Sequence, residues 1–403
     1  LAANDDLFDA QIRHEIAVRR WTAREVRETL AILDKANREL ERKLSSKLVQ
    51  GSSFQSQRFK KLQKDIRELR KSLFTQLRQV NKSGTLALGK AEQEFSKKIL
   101  ETVVPVELNY ATVNASHLNS LITTTPFAGG ANAARTLNQW WTNLEAADAR
   151  RISEALNLGM AQGETVPQMV SRVRNVGGLT RANAEAVIRT GVNHAVNTSR
   201  EAFFSANGGL MDALRWTSVL DGRTSAICRA RDGHFAPPDN NPNAQVPEPK
   251  LQPPGARPPA HPSCRSLMTG VLSPQGVEQM MPQRPFVRDA RTRKFREKDF
   301  RADAKAKLGE KRWKKMTVKQ RNQAIKKTRM SWANENIGRV PASTTYDQWL
   351  RRQPTSFQNE VLGLKKARMF RKGLKMDQFV DRKGQELTLI QLRQRFPEFA
   401  GAK

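Results

Sequence analysis

Apolar residues recur at helical spacing through the first hundred positions. Val26, Leu30, Leu33, Leu40, Leu44 and Leu48 mark one face, and Leu62, Ile66, Leu69, Leu73 and Leu77 mark another. Steps of three, four and seven with Glu, Lys and Arg between them predict two long amphipathic helices. The polar stretch QGSSFQS at 50–56 separates them. The pair reads as a helical hairpin or coiled-coil-like arm over residues 1–110, with ordinary packing helices as the alternative. SLITTTPFAGGANAAR at 120–135 reads as a loop, after which Leu137, Trp140, Trp141 and Leu144 begin a new apolar face. Gly and Pro punctuate 159–180 around a short helix. Thr180 is placed to cap a longer helix through Phe204, ended by NGG at 207–209.

The period then changes. In ALRWTSVLDGRTSAIC, Trp216, Val219 and Leu220 supply strand-forming bulk and Asp221-Gly222 a turn, the clearest strand signal in the chain. Residues 236–262 are rich in proline, which lacks a donor N–H, so they read as a long loop rather than helix or central strand. These elements group into a central mixed domain over 111–280. Residues 281–340 read as basic linker and helices with few apolar anchors. Residues 341–403 regain anchors at Trp349, Leu350, Phe357, Val361, Leu362, Phe370, Phe379 and Leu392, and read as a small helical module. The fold class expected is α-rich α+β: an elongated helical N-terminal arm, a central domain with a small sheet, and a basic helical C-terminal region.

Charge sharpens this division. The chain of 403 residues has 70 Lys and Arg against 39 Asp and Glu, a net of +31, with an apolar fraction of 38%. Arg284–Lys403 holds 33 basic and 12 acidic residues, so two thirds of the excess lies in the last 120 positions. Such a density calls for a polyanion, nucleic acid before anionic lipid, with a solvated charged surface kept for solubility as the alternative. Candidate phosphate contacts are Arg291, Arg293, Lys294, Arg296, Lys311, Arg312, Lys314, Lys315, Lys319, Lys326, Lys327 and Arg329. Phe295, Trp313 and Trp332 interleave with them and are expected to pack the region rather than stack on bases. No motif for reading particular bases is visible. No apolar run is long enough to span a bilayer. LAANDDLFDA lacks the basic and apolar regions of a secretion signal, and two cysteines cannot build a disulfide framework, so a reducing compartment is expected.

Those cysteines carry the candidate chemistry. Cys228, His234, His261 and Cys264 lie in the pattern C-x5-H-x26-H-x2-C around the proline-rich loop. Thiolates and imidazoles are the donors a structural zinc takes, four at a time in a tetrahedron. The alternatives are thiols packed as small apolar groups, or a Cys228–Cys264 disulfide. Cys228 with His261 could form a nucleophile–base pair, and Asp221, Arg223 and His234 a nuclease-like site. Neither a repeated carboxylate pair for two metals nor a glycine-rich phosphate loop accompanies them, so no catalytic residue is assigned.

RTGVNHAVNTSRE, then WTSVLDGRTSAICRARDGHF, then PPAHPSCRS resembles the phage head-morphogenesis family, the Mu F-like minor head proteins. The shared positions are Arg189, Thr190, Trp216, Asp221, Arg223, Thr224, Cys228, Asp232, Gly233, Pro258, Pro259, His261, Pro262, Cys264 and Arg265, within a match over roughly residues 140–270. The segment from about 345 to 396 resembles a C-terminal extension of some relatives. Gly191 stands where a Glu often follows Arg-Thr, and Ser266 where a second Cys often closes the motif. The resemblance implies a non-enzymatic virion protein inside the capsid near the portal vertex. Its implied partners are the portal protein ring, capsid proteins and genomic DNA. It would be assembled in the host cytoplasm and aid head assembly and genome packaging or ejection. A metal-dependent nuclease and a cytoplasmic assembly factor absent from the particle are the alternative functions.

Overall fold

The computed structural model describes residues 2–48, 56–104, 110–127, 134–162, 164–207, 211–238, 246–253, 255–272, 283–289, 293–341, 343–381 and 384–400. Two helices, α1 (Ala2–Leu48) and α2 (Ser56–Val103), form the N-terminal pair. After α3 (Ala115–Thr124), α4 (Leu137–Ala161) and α5 (Val166–Ala206) pack along that pair. Their stripes meet in two clusters. Leu30, Leu33, Phe74, Leu77, Trp141 and Ile188 fill one; Leu40, Leu44, Leu62, Ile66, Leu156 and Val173 fill the other. The N-terminal helical pair is therefore present, and its apolar faces are covered within this chain.

Two expectations fail in this layer. Ser120–Thr124 is not loop: α3 runs through it, capped by Asn114, whose side chain accepts from the His117 N–H, with Leu118 and Ile122 buried. Thr180 is not a helix cap, because α5 is continuous from Val166 to Ala206. The Gly177-Gly178 pair stays helical because tertiary packing overrides a weak propensity. A Cβ on Gly177 would stand 3.0 Å from Asn37 Nδ2, so its bareness serves a close approach of α1 rather than a break.

A buried polar network accounts for Thr180. Its hydroxyl donates to Asp148 (2.6 Å), which also accepts two bonds from Arg70 (2.7 Å each), and Arg70 donates to Asn37 (2.7 Å). One residue from each of α1, α2, α4 and α5 takes part. A second network lies further along: Glu92 of α2 accepts from Arg200 of α5 (2.8 and 2.6 Å) and bonds His14 of α1 (2.8 Å). Buried charges persist only when paired and hydrogen-bonded, and both networks meet that condition.

The far end of this helical layer abuts a sheet. Strand β1 (Met211–Thr217) pairs antiparallel with β3 (Phe235–Ala236) and β4 (Leu267–Leu272); β2 (Leu220–Asp221) and α6 (Ala226–Arg231) lie between β1 and β3 in sequence. Leu7, Leu100, Phe203 and Phe204 from the ends of α1, α2 and α5 join Leu214, Trp216 and Met268 of the sheet in one cluster. A second sheet, which the sequence reading did not foresee, has the order β2, β5 (Gln283–Val287), β6 (Ile337–Pro341); β2 and β5 are parallel, β5 and β6 antiparallel.

Between β5 and β6 come α7 (Arg293–Leu308), α8 (Glu310–Lys315) and α9 (Val318–Asn336). Val287 pairs with Ile337, so this whole basic segment leaves and rejoins the sheet at one point. The C-terminal module comprises α10 (Tyr346–Arg351), α11 (Thr355–Leu362), α12 (Leu364–Arg371), a 3-10 turn at Met376–Phe379, α13 (Leu389–Arg395) and α14 (Pro397–Ala400). Trp349, Phe357, Phe370, Phe379 and Leu392 form its core as expected, and Leu220 of β2 is buried among them. With fourteen α-helices and two three-stranded sheets among the described residues, the chain is an α-rich α+β protein.

Candidate functional site

Cys228 sits on α6, and His261 and Cys264 on a tight turn that leads into β4. Cys264 N–H bonds the His261 carbonyl at 3.1 Å, and Ser263 takes the left-handed conformation with φ 57°. The turn is held from α5, where the Thr190 hydroxyl accepts from the Ser263 N–H at 2.8 Å. The Cys228 and Cys264 sulfurs are 3.7 Å apart, and Cys228 Sγ is 3.3 Å from His261 Nε2. The same Nε2 is 2.8 Å from Ser225 Oγ at the start of α6. His261 Nδ1 lies 2.9 Å from the Pro262 carbonyl, which can only accept, so the proton is on Nδ1 and the Nε2 lone pair faces the sulfurs. Both thiols are buried beside Trp216 and Met268. Cys228 is pushed well up by its bond to Cys264 and by burial, and keeps its proton. That same bond, with His261 beside it, holds Cys264 well below the usual thiol range although burial opposes this.

Cys228, His261 and Cys264 are the sole trio of His, Cys, Asp or Glu donors among the described residues close enough to share one ion, their ligand atoms lying within 4.8 Å of one another. His234 does not join them. Helix α6 ends at Arg231, and the next residues turn back: Gly233 N–H bonds the Trp216 carbonyl (2.9 Å), and the His234 carbonyl accepts from Trp216 N–H (2.8 Å). Burial lowers the pKa of the His234 ring, against the opposing pull of Asp377, Asp232 and Glu248. A step of six does not return to the same helical face, and α6 has already ended, so His234 points away from Cys228.

The other motif residues brace this centre. Asp221 receives a two-pronged bond from Arg265 (2.6 and 2.8 Å), a hydroxyl bond from Thr224 (3.0 Å) and the Arg223 N–H (3.1 Å). Burial opposes the charge of Asp221, but the Arg265 bonds outweigh it and its pKa falls. The Arg223 side chain is half-exposed, 3.6 Å from Asp221. Trp216 is buried, its ring N–H donating to Ser218 (3.0 Å), whose hydroxyl donates to the Cys228 carbonyl (2.8 Å). Ser266 bonds that same Ser218 hydroxyl at 3.0 Å and also lies within hydrogen-bonding reach of the Cys228 thiol. Arg189 pairs with Glu185 one turn back on α5, away from the cluster. A Cβ on Gly191 would stand 2.8 Å from Leu137 Cδ1, so the bare position lets the side chains of α4 pack close against α5.

The sequence reading missed Arg284, counted there only as tail charge. It is buried and makes two 2.9 Å bonds to Asp232, and it also donates to the Thr344 carbonyl (2.8 Å) and the Ser218 carbonyl. Asp232 further accepts from the Tyr346 N–H (2.7 Å) and the Ser218 N–H (2.6 Å), and Tyr346 donates its hydroxyl to the Asp221 carbonyl (2.8 Å). The C-terminal module is thereby joined to the centre by buried polar bonds. Arg284 stands two residues before Phe286 on β5, the central strand of the second sheet, and in the sequence it is one arginine among many with no pattern that marks it as buried.

Of the candidate phosphate contacts, Lys311, Arg312, Lys314, Lys315, Lys319, Lys326, Lys327 and Arg329 are exposed on α8 and α9. Arg296 is half-buried, its guanidinium 5.0 Å from the Trp332 ring. Arg293 and Lys294 fall in α7, and Arg291 lies outside the described residues. Phe300, Ala304 and Trp313 are buried, and Phe300 meets Trp332 at 5.5 Å, so these rings pack the insert as expected for Trp313 and Trp332. Helix α9 has no buried residue at all.

Residues 150–269 match the family model for phage Mu protein F like proteins. Over this stretch the chain is similar to the phage Mu protein F like family, which supports a phage head-morphogenesis family. The match runs from the second half of α4 to β4 and contains the Cys–His–Cys trio and the Asp221–Arg265 pair. The insert and the C-terminal module lie outside it. No curated protein and no solved structure matches the chain. No helix among the described residues is long and apolar enough to cross a membrane.

Proposed function

We propose that this protein is a minor head protein at the portal vertex of a phage particle, and that its basic insert holds packaged double-stranded DNA without reading sequence. The Mu F-like domain supports the head assignment; the portal ring and capsid proteins are the partners this reading gives it. The DNA assignment is carried by one observation: an insert anchored at a single strand pair, with its lysines and arginines on the outside. Residues 288–336 contain 18 basic and 6 acidic residues. Exposed lysines and arginines on α8 and α9 lose little by binding phosphates, and counterion release drives the association. Holding DNA near its exit suits assistance in packaging or ejection and needs no catalytic group.

The test is duplex binding by the full chain across a salt series, with and without Gln in place of Lys311, Lys314, Lys315, Lys319, Lys326 and Lys327. The wild type should weaken steeply, by roughly 0.9 log units per log unit of salt for each phosphate neutralised. The variant should bind more weakly on every sequence and show a shallower slope. A flat salt response, or a strong preference for one sequence, would remove the DNA reading. Its absence from purified particles would point instead to an assembly factor, and metal-dependent nicking of plasmid to a nuclease.

A further inference from the structure

We propose that Cys228, His261 and Cys264 bind one zinc ion, with an oxygen donor, Ser225 or solvent, at the fourth position. The geometry is close to that of a loaded site. Zinc bonds of about 2.3 Å to sulfur and about 2.0 Å to nitrogen place two tetrahedral sulfurs about 3.8 Å apart, and a sulfur and a nitrogen about 3.5 Å apart. The observed separations are 3.7 Å and 3.3 Å. A disulfide would instead need the sulfurs at about 2.05 Å.

The imidazole is oriented as a ligand. Its Nδ1–H is spent on the Pro262 carbonyl, the outer bond that fixes a metal-binding histidine in one tautomer and points the other nitrogen inward. Two further observations agree. The turn that presents His261 and Cys264 includes a serine in left-handed backbone and is tied to Thr190 of α5, so the ligands are set before any ion arrives. Ser225 Oγ is beside the same Nε2, an oxygen within reach of the open position. Two thiolates and an imidazole select a borderline-soft cation over magnesium or calcium. The ion would fasten α6 to the turn before β4 and close the proline-rich loop at its base. This holds whether or not the protein binds DNA or enters a head.

The test uses the full chain, purified reduced and with zinc in the growth medium. Elemental analysis should give about one zinc per chain. Exchange with cobalt(II) should produce tetrahedral ligand-field bands with a sulfur-to-metal charge-transfer band. Cys264→Ser and His261→Ala should lose the metal, whereas His234→Ala should retain it. Should the ligand variants misfold, the wild type still decides: chelation should expose both thiols to an alkylating reagent and added zinc should protect them again. Reduced, folded protein that takes up neither zinc nor cobalt overturns the proposal, and so does loss of metal from His234→Ala.

Discussion

His194 shows how far one side chain can be shaped by its neighbours. Its ring stacks on Phe127 with centroids 4.2 Å apart, donates from Nε2 to the Ile122 carbonyl (3.1 Å) and accepts at Nδ1 from Thr198 (3.2 Å). Burial pushes its pKa down from 6.5 to about 4, with the Ile122 bond opposing. The unfolded chain therefore binds a proton that the folded chain refuses. The stabilising effect is complete above about 6.5 and is lost as pH falls towards about 4, a change on the order of 3 kcal/mol at most. His194→Gln should flatten the fall in unfolding free energy over that window, as read by urea titrations at successive pH values. An equally steep fall in the variant would assign the acid sensitivity to other groups. Glu92 acts in the same sense at lower pH: burial opposes its charge, yet Arg200 and His14 lower its pKa, so its contribution fades on acidification below the ordinary carboxylate value.

Among the elements, the four long helices are joined as much by the Asn37–Arg70–Asp148–Thr180 network as by leucine. Arg70→Met would leave the Asp148 carboxylate buried with one hydroxyl partner, which costs about 3–5 kcal/mol. The double variant Arg70→Met, Asp148→Leu should recover much of that loss, because no charge is stranded. Urea unfolding of the two variants checks both. The sequence disclosed these helices through their apolar stripes, and Arg70 was legible too, standing on the stripe between Ile66 and Leu73 where a charge is out of place. What could not be read was its partner, seventy-eight positions away on α4. The same limit explains Thr180: a threonine after two glycines has the local signature of a cap, and only the carboxylate across the bundle makes it an interior residue. Cys228, His261 and Cys264 were legible because their residue types are scarce and their motif is distinctive. Ser225 was not, since a serine beside a helix start has an ordinary capping role. Strands β3, β4, β5 and β6 were missed: β3 has only two residues, β4 (LMTGVL) does not alternate, β5 and β6 contain proline and arginine, and the pairing of all four is set by distant chain.

At the scale of the molecule, the N-terminal helices and the basic insert have opposite standing. Helices α1 and α2 supply Leu30, Leu33, Leu73, Phe74 and Leu77 to the helical core, and Leu7 and Leu100 to the cluster under the sheet. Removing residues 1–80 would uncover α4 and α5 along their length, so that deletion should yield aggregated or molten protein, and surface substitutions on α1 are the sounder way to probe docking on a partner. The insert is different because its ends meet. Val287 pairs with Ile337, and the Arg288 N–H bonds the Asn336 carbonyl at 2.8 Å, so the strands already run side by side where the helices begin. Its apolar contacts, Phe300 with Trp332 and the buried Trp313, are made largely with itself. Replacing residues 289–335 by a two-residue Asn-Gly turn between Arg288 and Asn336 offers β5 and β6 an ordinary hairpin connection. Arg284 and Tyr346 remain on either side of it, so the bonds to Asp232 that join the C-terminal module survive. The shortened chain should unfold cooperatively with a thermal midpoint close to that of the full chain, while its affinity for duplex DNA falls and loses most of its salt dependence. Loss of cooperative unfolding would mean that α7–α9 hold the second sheet together. Undiminished DNA binding would move the phosphate contacts to the helices of the core.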